Sequence, residues 1–546
     1  MSFLDKVKKV AAYNSDSGDI KISNKGDLTV GSVGSTTGIT NDASGGDVIV
    51  KVHSNLLLDA PTTTAGGDVT YTADENITHN VNGDVMTSGG DFTGNAGKDY
   101  TLKDGASILT GDGDIDIYAG NNISLGSGPA VLKTNFFLKE LKNLESRGYI
   151  LKDWGYYTKN TMISLKGRED GISVKLPSNA EGFYITMEEY SGGATRTYYT
   201  NPTLNPDGKE HLKVNSDGTV TFNWEDLYGL GDRDFNDVIF QYTNLSGTPV
   251  YLGSYLSSNN NIFLTANNGS ISQQSGKIYA NNLMLSANIG ITGVNADDAV
   301  DTYVDNLSAV NNTGNIRIRN TKDLTIADLS GIDGLNPGVK GYNGISNGSG
   351  IVAITVVDDP NLIVKAPIKA LGNMVSLNVV GALIDGHAGT DIYADSLELL
   401  TLDGIKGIPG WNSFLETQVS NLAAHNSTSG DINIDNTGDL TITTVGSTSG
   451  VVNNGSGIID ISTASPIYVN SDVISSGGNI YLTANNSDGF IEVNGQILSN
   501  GGNIYLTAYG KDATNNSITI GDDVDADTGN VIFYTFTGTS VPSFKQ

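Results

Sequence analysis

Apolar and polar residues alternate in short runs along most of this chain. In IYLTA at 480–484, Ile480, Leu482 and Ala484 fall on one face, Tyr481 and Thr483 on the other. A period of two is that of a half-buried strand; a helix needs apolar residues three and four apart, which these runs lack. Each run follows a glycine, most often in a Gly-Asp or Gly-Asn pair. These glycines fall at Gly18, Gly46, Gly67, Gly90 and Gly113, in steps of 28, 21, 23 and 23 residues. Late in the chain they fall at Gly430, Gly457, Gly478, Gly502 and Gly529, in steps of 27, 21, 24 and 27. A second short strand sits between successive turns, as at 28–30 (LTV) or 491–493 (IEV).

The unit recurs on a larger scale. Residues 17–41 (SGDIKISNKGDLTVGSVGSTTGITN) and 429–453 (SGDINIDNTGDLTITTVGSTSGVVN) agree at 16 of 25 positions without a gap, and a diverged third copy starts at Thr313. A unit of 21 to 28 residues is too short to bury its apolar side alone, so it must stack on its neighbours. The expected fold is all-β: a right-handed parallel β-helix, a solenoid whose inward residues form one core. Gly and Asn at the corners supply left-handed backbone angles. The pairs Asn121-Asn122, Asn267-Asn268, Asn485-Asn486 and Asn515-Asn516 are placed to form polar ladders between rungs. A β-sandwich array, the rival fold, would put hairpin turns every 8 to 12 residues, finer than the spacing here.

The rung pattern stops near Leu132 and resumes near Tyr251. Between them glycine thins out, Trp154, Trp224 and many Tyr and Phe residues enter, and strand-like stretches follow one another. This reads as a β-sandwich spliced into a loop between two rungs, an insertion the stacked rungs tolerate. Residues 136–147 (FFLKELKNLESR) place Phe137, Leu138, Leu141 and Leu144 on one face and predict one short helix. At the start, Phe3, Leu4, Val7 and Val10 share a face, with Lys6, Lys8 and Lys9 largely elsewhere, which predicts a capping helix. The expected domains are therefore a capping helix at 1–14, β-helix at 15–132, inserted sandwich at 133–250, and β-helix at 251–546.

The last third of the insert carries the sharpest chemistry. Glu225, Asp226, Asp232, Asp234, Asn236 and Asp237 crowd one loop between two strands. Hard divalent cations such as Ca²⁺ take six to eight oxygen ligands from such clusters. Without a cation Asp232, Asp234 and Asp237 would repel one another, so metal would stabilise the fold directly. A weaker candidate is Asp523-x-Asp525-x-Asp527-x-Gly529. It lacks the glutamate that closes an EF-hand loop, and it falls where a rung turn belongs.

The acidic segment resembles a family of small domains appended to bacterial secreted and surface proteins. The signature is a Glu-Asp pair, a Gly-rich turn, then Asp-x-Asp-aromatic-Asn-Asp and an apolar strand. Glu225-Asp226, Gly229-x-Gly231 and Asp232-x-Asp234-Phe235-Asn236-Asp237 match it, with Gly-Leu-Gly where many members have Gly-Gly. The resemblance implies an extracellular, calcium-dependent module and no known reaction. The Gly-Asn-Ile and Gly-Asp-Ile rungs resemble the shaft repeats of filamentous haemagglutinin-type adhesins in pattern. That family's Asn-Pro-Asn-Gly-type secretion signature is missing, so its export route is not carried over.

Charge narrows the partners. Sixty acidic residues against 31 basic ones give a net charge of −29, which repels nucleic acid and anionic membranes and favours divalent cations. Cysteine is absent, so there is no disulfide framework and no thiolate metal site. No apolar run approaches the length of a membrane span, and the first residues lack the apolar stretch of a signal peptide. The five histidines (His53, His79, His211, His387, His425) sit in unrelated contexts and suggest neither a triad nor a zinc site. Basic residues are scarce in the coil, so a polysaccharide-degrading site, which needs a carboxylate pair or a base beside bound calcium, is not expected. The expectation is a non-enzymatic extracellular protein of a bacterial cell surface. It is read as a self-assembling filament or sheath subunit joined end to end or by strand addition. A monomeric adhesin binding glycan or cell surface through the insert is the alternative.

Overall fold

The computed structural model describes residues 3–4, 7–103, 105–126, 135–143, 149–158, 161–164, 172–175, 180–189, 194–199, 204–207, 209, 211–215, 221–224, 238–244, 255–294, 298–332, 342–357, 360–407 and 414–536. They form strands and turns, with no α-helix among the described residues. The chain divides into two compact units, Met1–Phe263 with Ser272–Ala280, and Leu264–Ile271 with Asn281–Gln546.

The first unit is a parallel β-solenoid with three strands per turn. One face stacks Ile20–Asn24, Val48–Val52, Val69–Ala73, Phe92–Ala96 and Ile115–Ala119 in register, Ile20 on Val48, Val69 on Phe92, Phe92 on Ile115. The second stacks Leu28–Val30, Leu56–Leu58, Ile77–His79, Tyr100–Leu102 and Ile123–Leu125. The third runs through Ile39–Ser44, Thr62–Ala65, Val85–Met86 and Ser107–Gly111. Inward Val48, Val50, Val52, Ile77, Phe92 and Ile115 are fully buried. Parallel in-register pairing excludes the sandwich array for these rungs.

Corner chemistry explains the repeated glycine, partly through the left-handed angles expected and partly through close backbone approach. A Cβ on Gly67 would lie 2.1 Å from the Gly46 carbonyl oxygen, and one on Gly90 would lie 2.3 Å from that of Gly67. Rung-to-rung backbone approach requires glycine at these positions, and the residue before each is the left-handed one: Gly45, Gly66 and Gly89 have positive φ. Gly18, at the start of the column, has open space beside it and is itself left-handed, with φ of 84°. The following aspartates form a ladder, in which the Asp47 N–H donates to Asp19 Oδ1 and the Asp68 N–H to Asp47 Oδ1, both at 3.0 Å. A second ladder links Asp27, Asn55, Asn76, Asp99 and Asn122, for example Asn76 Nδ2 to Asn55 Oδ1 at 2.9 Å and Asn122 Nδ2 to Asp99 Oδ1 at 3.1 Å. Asn122 thus takes the ladder role expected of it.

The insert interrupts one turn without disturbing the stack. Tyr255, Leu256 and Ser257 pair directly with Ser107, Ile108 and Leu109. Between 126 and 255 lie two antiparallel sheets, one of five strands and one of four. Two helices expected from sequence are strands where they are described; residues 144–147 of one and 1–2 and 5–6 of the other lie outside the described residues. Asn135–Asn143 pairs antiparallel with Ile172–Lys175 and Val238–Asn244. A 12-residue helix is marginal in water, whereas this strand gains a hydrogen-bonded neighbour on each side. The N-terminal stretch likewise forms a rung: Phe3–Leu4, Lys9–Val10 and Ala12–Asn14 pair with Ser23–Asn24, Thr29–Val30 and Ile39–Asn41. Asn24 turns the chain there, accepting from the Val7 N–H and donating to the Val7 carbonyl, both at 3.0 Å.

The second unit is also a parallel solenoid. Val352–Val356, Ile368–Val379, Ile392–Thr401 and Asn421–Asn426 stack in one run, and Ile432–Asn436, Ile459–Thr463, Ile480–Ala484, Ile504–Ala508 and Val531–Thr535 in another. Its Gly column has the same cause, since a Cβ on Gly478 would lie 1.9 Å from the Gly457 carbonyl. Outward Tyr481 and Tyr505 stack with centroids 4.6 Å apart.

Candidate functional site

Glu225, Asp226, Asp232, Asp234, Asn236 and Asp237 lie outside the described residues. The strands flanking them, Thr221–Trp224 and Val238–Asn244, pair antiparallel with Trp224 opposite Val238. Asp523, Asp525 and Asp527 form an exposed rung corner: Asp525 sits in Val524–Asp525, paired with Ile497–Leu498. Asp527 has φ of 51° and its N–H donates to Asp525 Oδ1 at 2.8 Å. Of the histidines, His79 and His211 are buried, the first against Tyr71, Phe92 and Tyr100 and the second stacked on Tyr198.

The duplicated segment is more informative, because its two copies sit in different surroundings. Each contains a small hairpin, Ser32–Val33 with Thr36–Thr37 in the first copy and Thr444–Val445 with Thr448–Ser449 in the second. In the second copy the hairpin is clamped by Glu398, a buried side chain on Ile392–Thr401. Glu398 Oε1 accepts from the Ser447 N–H at 2.8 Å, Ser447 Oγ at 3.0 Å and Thr448 Oγ1 at 3.0 Å; Oε2 accepts from Ser376 Oγ at 2.8 Å. Burial pushes this carboxyl up, but those donors outweigh it and hold it below its usual value. Val445 is 5% exposed, and a Cβ on Gly446 would meet the Glu398 carboxylate at 2.7 Å.

In the first copy the hairpin has no such clamp among the described residues. Val33 is 48% exposed, and a Cβ on Gly34 would have open space. The duplication also reaches further back than residue 17: Ser2-Phe3-Leu4 matches Ser413-Phe414-Leu415, and KVAAYN at 9–14 matches NLAAHN at 421–426. The N-terminal rung is therefore the counterpart of the rung at 415–426. In the second copy that rung pairs onward, Ser396 with Asn421 through Thr401 with Asn426. Phe3–Leu4, Lys9–Val10 and Ala12–Asn14 have no strand on that side among the described residues. At Val531–Thr535, which pairs with Ile504–Ala508, Phe533 and Tyr534 are 50% and 46% exposed.

Two further features were not anticipated. A polar groove of about 290 Å³ opens in the second unit beside Glu398, between Asp298, Arg317, Thr355, Ser376 and Asn378. Nearby in sequence, Asp385, Asp391 and Glu416 bring their carboxylates together. Neither has a recognised motif, because in each case residues from more than one rung meet through stacking.

Residues 168–244 match a domain of unknown function, DUF4114. The match falls inside the insert and includes the acidic loop. No curated protein and no solved structure matches the chain. No helix among the described residues is long and apolar enough to cross a membrane.

Proposed function

We propose that this chain is a non-enzymatic structural protein of a bacterial surface, a solenoid subunit that self-assembles by strand addition. The unequal surroundings of the duplicated hairpin carry this reading. The rung at 415–426 is paired with a parallel strand and has a carboxylate seated on its hairpin's Ser and Thr donors, and the same two contacts are proposed for its N-terminal counterpart. Strand addition supplies backbone hydrogen bonds along an exposed edge. A second copy of this chain is the proposed occupant, with its Val531–Thr535 edge as the complement. Calcium bound by Glu225, Asp226, Asp232, Asp234, Asn236 and Asp237 would stiffen the insert and its lateral contacts, in keeping with their chemistry and with the net charge. Extracellular placement draws on the same composition.

Light scattering and negative-stain imaging, with calcium and with chelator, test this reading. Rods that lengthen with protein concentration and shorten in Val33→Asp or Phe533→Asp variants are expected. Monomers at every concentration, with calcium present, would overturn it. A second reading, a monomeric adhesin, is favoured by the polar groove beside Glu398, whose hydroxyl, amide and charged groups suit a glycan. Glycan-array binding by monomeric protein, lost in Arg317→Ala, would select it.

A further inference from the structure

Asp385, Asp391 and Glu416 come from three separate stretches of the second unit. Asp385 ends Leu383–Asp385, Asp391 immediately precedes Ile392–Thr401, and Glu416 lies in Leu415–Gln418, which pairs with Ile392–Thr401 through Ile392 and Thr417. One oxygen from each carboxylate lies within 4.8 Å of the other two. The backbone locks this corner. The Asp391 N–H donates to the Glu416 carbonyl at 2.8 Å, the Glu416 N–H to Asp391 Oδ2 at 3.0 Å, and the His387 N–H to Asp385 Oδ1 at 2.8 Å. Asp385 is 3% exposed and Asp391 0%.

Acidic residues crowd together on many surfaces without consequence. This corner differs in what Asp391 does. Its Oδ2 is satisfied, but its Oδ1 is fully buried and has no hydrogen-bond partner, while the residue holds a carboxylate oxygen within 4.8 Å of the other two acids. The nearest cationic candidate, His387 Nδ1, is 3.8 Å from that oxygen and sits 3.1 Å from the Gly389 carbonyl. A buried carboxylate oxygen left bare is costly unless something positive completes it.

We infer that Asp385, Asp391 and Glu416 form a binding site for one Ca²⁺ ion, separate from the acidic loop of the insert. A cation centred among oxygens no more than 4.8 Å apart lies about 2.8 Å or less from each, a slight closure away from Ca–O bonds and well beyond Mg–O bonds. The donors are all hard oxygens, which suits Ca²⁺ over zinc or copper. A bound ion would tie two successive rungs together at one point, because Glu416 lies on the strand stacked against the one that Asp391 precedes.

The test uses the full chain carrying Asp232→Asn, Asp234→Asn and Asp237→Asn, so that the insert's loop no longer competes, and titrates it calorimetrically with CaCl₂ alone. One ion per chain is expected, with binding weakened on the order of 100-fold when Asp391→Asn is added. Glu416→Gln is the second variant, used if Asp391→Asn lacks the far-UV circular dichroism of the parent. Absence of binding in the parent, or binding unchanged by either folded variant, would overturn the assignment. The outcome does not depend on filament assembly, which fails or succeeds in the imaging experiment.

Discussion

His79 offers a sharp test of how this solenoid buries polar groups. Its imidazole is fully buried at the end of Ile77–His79, with Nδ1 2.6 Å from the Gly83 carbonyl and Nε2 2.7 Å from the Tyr100 hydroxyl. The neutral tautomer with its proton on Nδ1 satisfies both contacts, Nε2 accepting from Tyr100. Burial lowers its pKa from 6.5 to about 4, against a smaller upward pull from the Gly83 carbonyl. Because the folded value is depressed, the unfolded chain binds the extra proton first. Stability is therefore full above pH 6.5 and falls progressively as pH drops towards 4, where the loss levels off. A shift of this size corresponds to about 3 kcal/mol. Many carboxylates also titrate in this window, so the informative quantity is the difference between wild type and His79→Gln, which keeps hydrogen-bonding capacity without the charge. Urea unfolding at a series of pH values, followed by circular dichroism, should show wild type losing about 3 kcal/mol relative to the variant between pH 7 and pH 4. Repeat arrays unfold in parts, so exchange protection of Tyr100–Leu102 should track the same difference. A difference that stays flat with pH, or a His79 resonance titrating near its ordinary value, would refute the burial argument.

Three other outcomes follow from the contacts. Gly38→Ala places a Cβ 2.1 Å from the Pro61 carbonyl oxygen at φ of 74°, and should lower stability by about 3 kcal/mol or more in thermal unfolding. Glu398→Ala leaves the Ser447 N–H and three hydroxyls without their acceptor, costing about 3 kcal/mol and exposing residues 444–449 to limited proteolysis, whereas Glu398→Gln should cost about 1 kcal/mol. Asn76→Leu removes the link between Asn55 and Asp99 and should cost about 1–2 kcal/mol by denaturant unfolding; an unchanged midpoint would mean that the ladder is decorative.

Much of the architecture was legible from residue order. The alternation in IYLTA and the spacing of Gly18, Gly46, Gly67, Gly90 and Gly113 reappear as the register of stacked strands, because a parallel solenoid converts sequence period directly into rung repeat. The same regularity located the insert, where the period fails. Periodicity misled only in short stretches such as 136–147, where apolar spacing fits a helix and the strand neighbours that decide the matter come from elsewhere in the chain.

The sequence by itself determined that this chain coils, where the coil is interrupted, and which residues turn inward. Tertiary structure alone decided what the corners do. Glycine recurs there because rung backbones touch, a fact invisible in any one repeat. Glu398 clamps a hairpin some fifty positions away in sequence, and Asp385, Asp391 and Glu416 become one site only when their rungs are stacked. Local pattern encodes which way a side chain points; its partner is set by the length of the intervening turn, and so by the fold.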